Sequence, residues 1–259
     1  EQEWLKEHQE QELKEIRSKD GLTLRAAYIP RENAKGTIIC MHGYHSTNDI
    51  EFVPEVRFLW NLGYSILLPW QRSHGKSEGR YITYGVKERH DLKRWILYTN
   101  RHLAAKNKDI FLCGISMGCA TTLMAAGLDL PDNVKGIIAD CGFTSPWDII
   151  KHVAKERFHL PPFPLMYMVD LISEVVAGFG LKEVSIPEIM KRNKIPVLFI
   201  HGDADDYVPM WMTIKNYEAC AAKKELYIVS RAGHALAFSK DMEEGKRRIK
   251  NFINKYKTI

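Results

Sequence analysis

Short apolar, β-branched runs alternate with longer segments of helical periodicity along nearly the whole chain, and few folds accommodate that alternation. Such runs need burial on both faces, which a mostly parallel sheet covered by helices on either side provides. Six buried strands are expected at Thr37–Met41, Tyr64–Leu68, Asp109–Cys113, Val134–Ala139, Pro196–Ile200 and Leu226–Val229. Two more, Leu13–Ser18 and Leu22–Ile29, flank Asp20-Gly21, a pair suited to a hairpin turn, and are expected to form an antiparallel edge. The residues Trp4, Leu5 and His8 begin a short helix ahead of them. Helical patterns fill the crossovers at Pro54–Leu62, Val86 to about Leu103, Met117–Gly127, Met210–Ala222 and Asp241–Tyr256. The expected fold class is therefore α/β, an eight-stranded, mostly parallel sheet flanked by helices.

One interval breaks the rhythm. From Phe143 to Lys194 the chain runs far longer than a single crossover needs, so 144–194 is expected to be a helical cap inserted into a core domain of 1–143 and 195–259. Thr144-Ser145-Pro146 supplies a capping side chain and then a proline at the first helical position, while Pro161, Pro162 and Pro164 divide the segment into at least two helices.

Composition narrows the function classes. With 45% hydrophobic and 27% charged residues among 259, the chain has the balance of a globular protein in water. Its net charge of +5 is spread along the sequence without the basic stripe of a nucleic-acid binder. The most apolar stretch, Leu160 to Leu181, is interrupted by Asp170, Ser173 and Glu174, so no transmembrane segment is expected. Cys40, Cys113, Cys119, Cys141 and Cys220 form no C-x-x-C pair and are odd in number, which fits reduced thiols and a cytoplasmic setting; the chain begins at Glu1 rather than Met, which leaves room for an upstream leader or anchor.

The chemistry concentrates in three places. Gly114-Ile115-Ser116-Met117-Gly118 follows an apolar strand and opens an Ala- and Leu-rich helix, a setting that holds a serine on a sharp turn. A serine hydroxyl needs an imidazole to take its proton and a carboxylate to orient that imidazole. Downstream, His201-Gly202-Asp203-Ala204-Asp205-Asp206-Tyr207-Val208-Pro209 places three carboxylates after one strand, and Ala232-Gly233-His234 places a histidine after the last. With Ser, Asp and His in that order, the sequence resembles an α/β-hydrolase from about Lys19 to Lys255, similar to the capped esterases, the monoacylglycerol-lipase-like branch and the serine aminopeptidases.

That resemblance implies the α/β-hydrolase fold and particular roles. Ser116 is the implied nucleophile, His234 the base and Asp205 the acid, matching the His-Gly-x-x-Asp-x-x-Val-Pro pattern; Asp140 at the end of the sixth strand is a second candidate acid, and Asp203 and Asp206 read as capping or loop residues. His42-Gly43-Tyr44 resembles the oxyanion loop, which assigns the backbone N–H groups of Tyr44 and Met117 to the oxyanion hole, with His42 itself a satisfied structural group. Trp70-Gln71-Arg72-Ser73-His74-Gly75 resembles the loop after the fourth strand but carries Trp70 where the family has Asp and Ser73 where it has Gly or Ala. Trp70, with Phe158, Phe163, Met166, Tyr167, Met168 and Phe179 of the cap, is a candidate lining of the substrate pocket. A serine at the elbow argues against the dehalogenase and epoxide-hydrolase branches, which place Asp there. No metal or organic cofactor is needed, and His42 and His45 lack a helical H-E-x-x-H context for zinc. The expected activity is hydrolysis of a small-molecule carboxylic ester with an apolar or aromatic acyl group through an acyl-serine. Peptide or amide cleavage by the same triad, with Asp170 and Glu174 nearest to hold an amine, and a catalytically silent binding module are the alternatives.

Overall fold

A computed structural model describes residues 2–9, 12–103 and 108–258. Eight strands, β1 (Leu13–Arg17), β2 (Thr23–Ile29), β3 (Gly36–Met41), β4 (Ser65–Pro69), β5 (Asp109–Ile115), β6 (Val134–Asp140), β7 (Val197–Gly202) and β8 (Lys224–Val229), form one sheet in the order β1-β2-β4-β3-β5-β6-β7-β8. The β1–β2 and β2–β4 pairs are antiparallel and the other five are parallel, as the alternation and the Asp20-Gly21 turn predict.

Why the central strands read as unbroken apolar runs is visible in β3. Ile39 and Met41 enter the core layer on one face of the sheet while Ile38 and Cys40 enter the layer on the other, so successive side chains are buried on opposite sides. The helices that cover these faces are α1 (Gln2–Gln9), α2 (Asn48–Glu51), α3 (Val56–Asn61), α4 (Glu88–Tyr98), α5 (Met117–Ala125), α6 (Pro146–Phe158), α7 (Leu165–Ile172), α8 (Ile186–Met190), α9 (Met210–Ala219), α10 (Ala237–Lys240) and α11 (Met242–Tyr256). The helix expected to run to about Leu103 does so by loosening into a π turn over Thr99–Leu103. That expected to reach Ala222 stops at Ala219, because Cys220 turns to extended backbone. None of the helices among the described residues is long and apolar enough to cross a membrane.

The long interval between β6 and β7 carries α6, α7, a π turn at Ser173–Ala177 and α8. Its entry follows the sequence signals: the Ser145 hydroxyl accepts the Asp148 N–H at 3.0 Å, and Pro146 occupies the first turn, where its missing N–H costs nothing. His159 ends α6 in the left-handed region, and the prolines that follow separate it from α7. Asp170 turns inward to accept the Leu181 N–H at 2.7 Å, while Tyr167 and Leu171 on the same helix face outward.

Candidate active site

The residues with chemical potential gather at the C-terminal ends of β3, β5, β7 and β8, the edge to which a parallel sheet directs its connecting loops. Ser116 stands between β5 and α5 with φ of 54°, a backbone conformation that side-chain-bearing residues seldom adopt. Two glycines make the turn possible. A Cβ on Gly118 would lie 1.8 Å from the Met41 carbonyl oxygen, and one on Gly114 would lie 2.4 Å from the Gly118 carbonyl oxygen. The serine N–H donates to the Asp140 carbonyl at 2.9 Å, tying the turn to β6.

His234 Nε2 lies 2.9 Å from Ser116 Oγ, and its Nδ1 lies 2.7 Å from Asp205 Oδ2, so the three groups expected from the chain order form one continuous hydrogen-bonded line. Asp205 Oδ1 accepts the Tyr207 and Val208 N–H groups, each at 2.9 Å. Burial alone would raise this carboxyl, but hydrogen bonds from His201, His234 and the Val208 amide together hold it well below the usual carboxylate range. It stays ionised beside the imidazole. Asp140, the second candidate acid, makes no such contact: its Oδ1 is buried without a partner, and burial pushes its carboxyl up to about 7. Asp203 instead accepts the Arg231 N–H at 2.5 Å, and Asp206 pairs with Arg157 at 3.6 Å.

Of the two backbone donors expected to face a substrate oxygen, Met117 N–H belongs to the first turn of α5, where amides are unpaired within the helix, and Tyr44 follows Gly43 at the end of β3. Gly43 adjoins Ser116, since a Cβ built on it would lie 3.3 Å from Ser116 Cβ. His42 is fully buried, with Nδ1 2.8 Å from the Gly43 carbonyl and Nε2 accepting the Gln71 N–H at 3.0 Å, the structural role expected of it.

Four nearby residues escaped the sequence reading as site residues. Glu51 accepts the Gly43 N–H; burial raises its carboxyl, against the pull of that N–H, of Ser46 and of His234. His201 reads from sequence as solvated or structural, and the structure buries it, with Nδ1 2.7 Å from Thr213 Oγ1 and Nε2 2.8 Å from the Val208 carbonyl and 3.2 Å from Asp205 Oδ2. Tyr207 sets its ring 5.1 Å from His234, and Tyr84 stacks on Tyr44 at 5.2 Å and 17°. Only the positions in the His-Gly and Asp-x-x-Val-Pro motifs gave these residues any signal, because their approach spans separate elements.

A cavity of about 530 Å³ adjoins the His42-Gly43-Tyr44 loop. Tyr44 and Tyr84 form one wall, and Ile150, Val169, Ile172, Val176, Phe179 and Leu181 of the β6–β7 interval form another. Of the side chains expected to line the pocket, Phe179 does so, while Trp70, Phe158, Phe163, Met166, Tyr167 and Met168 lie elsewhere. Trp70 is packed in the core layer with Ile66 and Leu68, beneath Gly75, on which a Cβ would meet its ring at 2.1 Å. Met166 is fully buried in the opposite layer, whereas Phe158, Phe163 and Tyr167 point to solvent, Phe163 being 75% exposed. The helical face that reaches the cavity is the one carrying Val169, Ile172 and Val176. Among the described residues the converging set of potential metal donors is Cys141, Asp205 and His234, within 4.8 Å of one another. Two of these are already bonded to each other, and burial holds the Cys141 thiol far above its ordinary range, which makes it a poor thiolate ligand.

Comparison with known proteins gives this arrangement a family. The sequence pattern of the prolyl oligopeptidase family matches residues 77–258. The Bacillus subtilis protein YqkD is 28% identical over 239 residues, 92% of this chain and 78% of its own length. The Schizosaccharomyces pombe protein bem46 is 25% identical over 87% of this chain and 71% of its own. Among solved structures, the Pyrococcus furiosus esterase Pf2001 superposes with a TM-score of 0.76 at 26% identity, over 95% of this chain and 92% of that one. The mouse α/β hydrolase domain-containing protein 10 shares the fold at 19% identity and a TM-score of 0.70, over 94% and 99% of the two chains.

Proposed function

The chain belongs to the prolyl oligopeptidase family and is an α/β hydrolase, and from that premise we propose that it cleaves carboxylic esters of apolar or aromatic acyl groups through an acyl-serine intermediate. The observation that carries the reading is the unbroken line from Ser116 Oγ through His234 to Asp205, at 2.9 and 2.7 Å. In this mechanism Ser116 Oγ attacks the acyl carbon while His234 Nε2 takes its proton. The N–H groups of Tyr44 and Met117 stabilise the developing oxyanion, each worth on the order of 10²–10³ in rate. His234 returns the proton to the departing alkoxide, and a water activated by the same imidazole then releases the acid and restores Ser116. Asp205 holds the imidazole with Nδ1 protonated and offsets the imidazolium charge.

In this reading residues 144–194 act as the cap over a core of 1–143 and 195–259, supported by the helix side chains that close one side of the cavity. The apolar lining and the esterase Pf2001 at 26% identity support an ester substrate. The family match supports a second reading, peptide-bond cleavage by the same triad. The carboxylates once nearest for an amine are engaged or outside the lining: Asp170 accepts the Leu181 N–H, and Glu174 does not line the cavity. All five cysteines are buried free thiols, which supports a reducing, cytoplasmic setting.

The test is intact-mass spectrometry after treatment with a small fluorophosphonate, on the wild type and on Ser116→Ala, followed by ester and peptide panels. One adduct on the wild type, missing from the variant, together with faster turnover of esters is the expected result. An adduct on both proteins would remove Ser116 as nucleophile, and faster turnover of peptides would install the second reading.

A further inference from the structure

We propose that the cavity beside the oxyanion loop takes a substrate whose acyl chain ends in an anionic oxygen group, a carboxylate or a phosphate, and that Arg80 recognises that end. The proposal rests on the ester-hydrolase reading and adds the substrate class. Arg80 is the one Asp, Glu, Lys or Arg side chain among the described residues lining the cavity. The rest of the lining is apolar or aromatic apart from His45, Ser73, Ser173 and the tyrosine hydroxyls.

A cavity holding a single permanent charge has a field of one sign, and here it is positive. No carboxylate lines the cavity, and several on the surrounding elements, Glu78 with the Thr23 N–H at 2.7 Å among them, are engaged elsewhere. Glu88 spends its oxygens on the Thr83 N–H and hydroxyl and on the Gly85 N–H, at 2.9, 2.5 and 2.9 Å. Asp170 accepts the Leu181 N–H, and Glu183 pairs with Arg89 at 3.3 Å. Arg80 itself makes no hydrogen bond or ion pair with a described residue, so its planar fork of donors is available to a planar carboxylate or a phosphate. The side chain is exposed at the rim, where it stays hydrated until an anion displaces that water. Tyr44 belongs to the same lining and follows Gly43, against which Ser116 packs, so the cavity that holds the cation reaches the loop beside Ser116. An apolar chain with one charged end is complementary to a wall of that composition, and its volume of about 530 Å³ lies within the range of ordinary ligand sites.

The test compares kcat/KM for the 4-nitrophenyl esters of octanoate, of octanedioate and of an octanoate bearing a terminal phosphate, in the wild type, Arg80→Lys, Arg80→Gln and Arg80→Glu. Preference for the anionic over the neutral chain should fall about tenfold in Arg80→Gln and further in Arg80→Glu, mostly through KM, with Arg80→Lys retaining part of it. The larger preference of the two anionic arms identifies the group. An unchanged preference in Arg80→Glu overturns the proposal. Binding without turnover supplies the second measurement: monomethyl octanedioate titrated into Ser116→Ala should bind about tenfold tighter than into Ser116→Ala with Arg80→Glu, and equal Kd values would also overturn it. Failure of the wild type to cleave any of the three esters would count against the ester reading alone, because the titration still decides the role of Arg80.

Discussion

Asp205 divides its two oxygens between different neighbours, and that division explains why it, rather than Asp140, is the carboxylate to test. Oδ1 is anchored by two backbone amides, so Oδ2 is aimed at His234 with little freedom to turn away. His201 closes the other side of Oδ2 at 3.2 Å. Asparagine at 205 would present either an N–H group or a weaker, uncharged acceptor to the imidazole and so favour the wrong tautomer, which should lower kcat on the order of 10⁴-fold. Asp140→Asn, touching neither His234 nor Ser116 through its side chain, should stay within about tenfold of the wild type. Steady-state ester kinetics on the two variants check this, and the reverse order of losses would transfer the acid role to Asp140.

At the scale of elements, the loop after β4 is fastened to α4 by a buried ion pair. Arg72 donates from Nε and a terminal nitrogen to Asp91 at 2.7 and 2.8 Å, and also reaches Asp20 in the β1–β2 turn at 2.8 and 3.1 Å. The Arg72 and Asp91 side chains are 5% and 4% exposed. Burial pushes the Asp91 carboxyl up to about 6 even against the pull of Arg72, a sign of how costly that charge would be alone. Arg72→Ala should therefore destabilise the protein by about 3–5 kcal/mol in denaturant unfolding, and Arg72→Met with Asp91→Leu should recover much of the loss. A double variant no more stable than the single one would show that the loop is held by its shape and not by relief of a stranded charge. The same loop carries Trp70 and Arg80, which explains why a departure from the family pattern at Trp70 alters packing inside the core while the cavity receives a side chain ten residues later.

Across the whole molecule, the carboxyls buried under the site contribute stability that falls as pH rises. Burial, with Asp140 and Glu51 nearby, pushes Glu55 up to about 8, and Glu55 Oε2 and Asp140 Oδ1 lack partners. An unfolded chain ionises such groups near about 4. Both folded values lie above the unfolded ones, so the folded state binds more protons between them; the contribution to stability is complete at low pH and is lost as pH rises toward 7 and 8. Thermal unfolding of the wild type and Glu55→Gln at pH 5 and pH 8.5 checks the sign. The wild type should lose roughly 2–4 kcal/mol more between the two pH values than the variant does. Equal losses would mean that Glu55 is ionised in the folded protein already at pH 5.

Much of the fold was legible in the sequence because its causes are local. A run such as Ile38-Ile39-Cys40-Met41 must be covered on both faces wherever it sits, the Asp20-Gly21 turn closes a hairpin by itself, and glycines at 114 and 118 are demanded by backbone atoms a few residues away or on the adjoining strand. The same local logic brought out Ser116, the three carboxylates Asp203, Asp205 and Asp206, and His234 as candidates, since each group follows a strand at the sheet edge where loops converge, and the resemblance to the α/β-hydrolases singled out Asp205 among the three. Tertiary structure alone showed that Asp205 and not Asp140 touches the imidazole, that Glu51 and His201 stand behind the site, and which face of α7 turns toward the cavity. Apolar character marked Phe163 and Tyr167 as readily as Val169 and Ile172, but the direction of a side chain depends on how its helix is rotated against the sheet, and Asp170 bonding to the Leu181 N–H fixes that rotation with the aromatic face outward. Sequence carries the preferences of each element. Which side chains meet across elements depends on register and packing between segments far apart in the chain, and no local pattern encodes those distances.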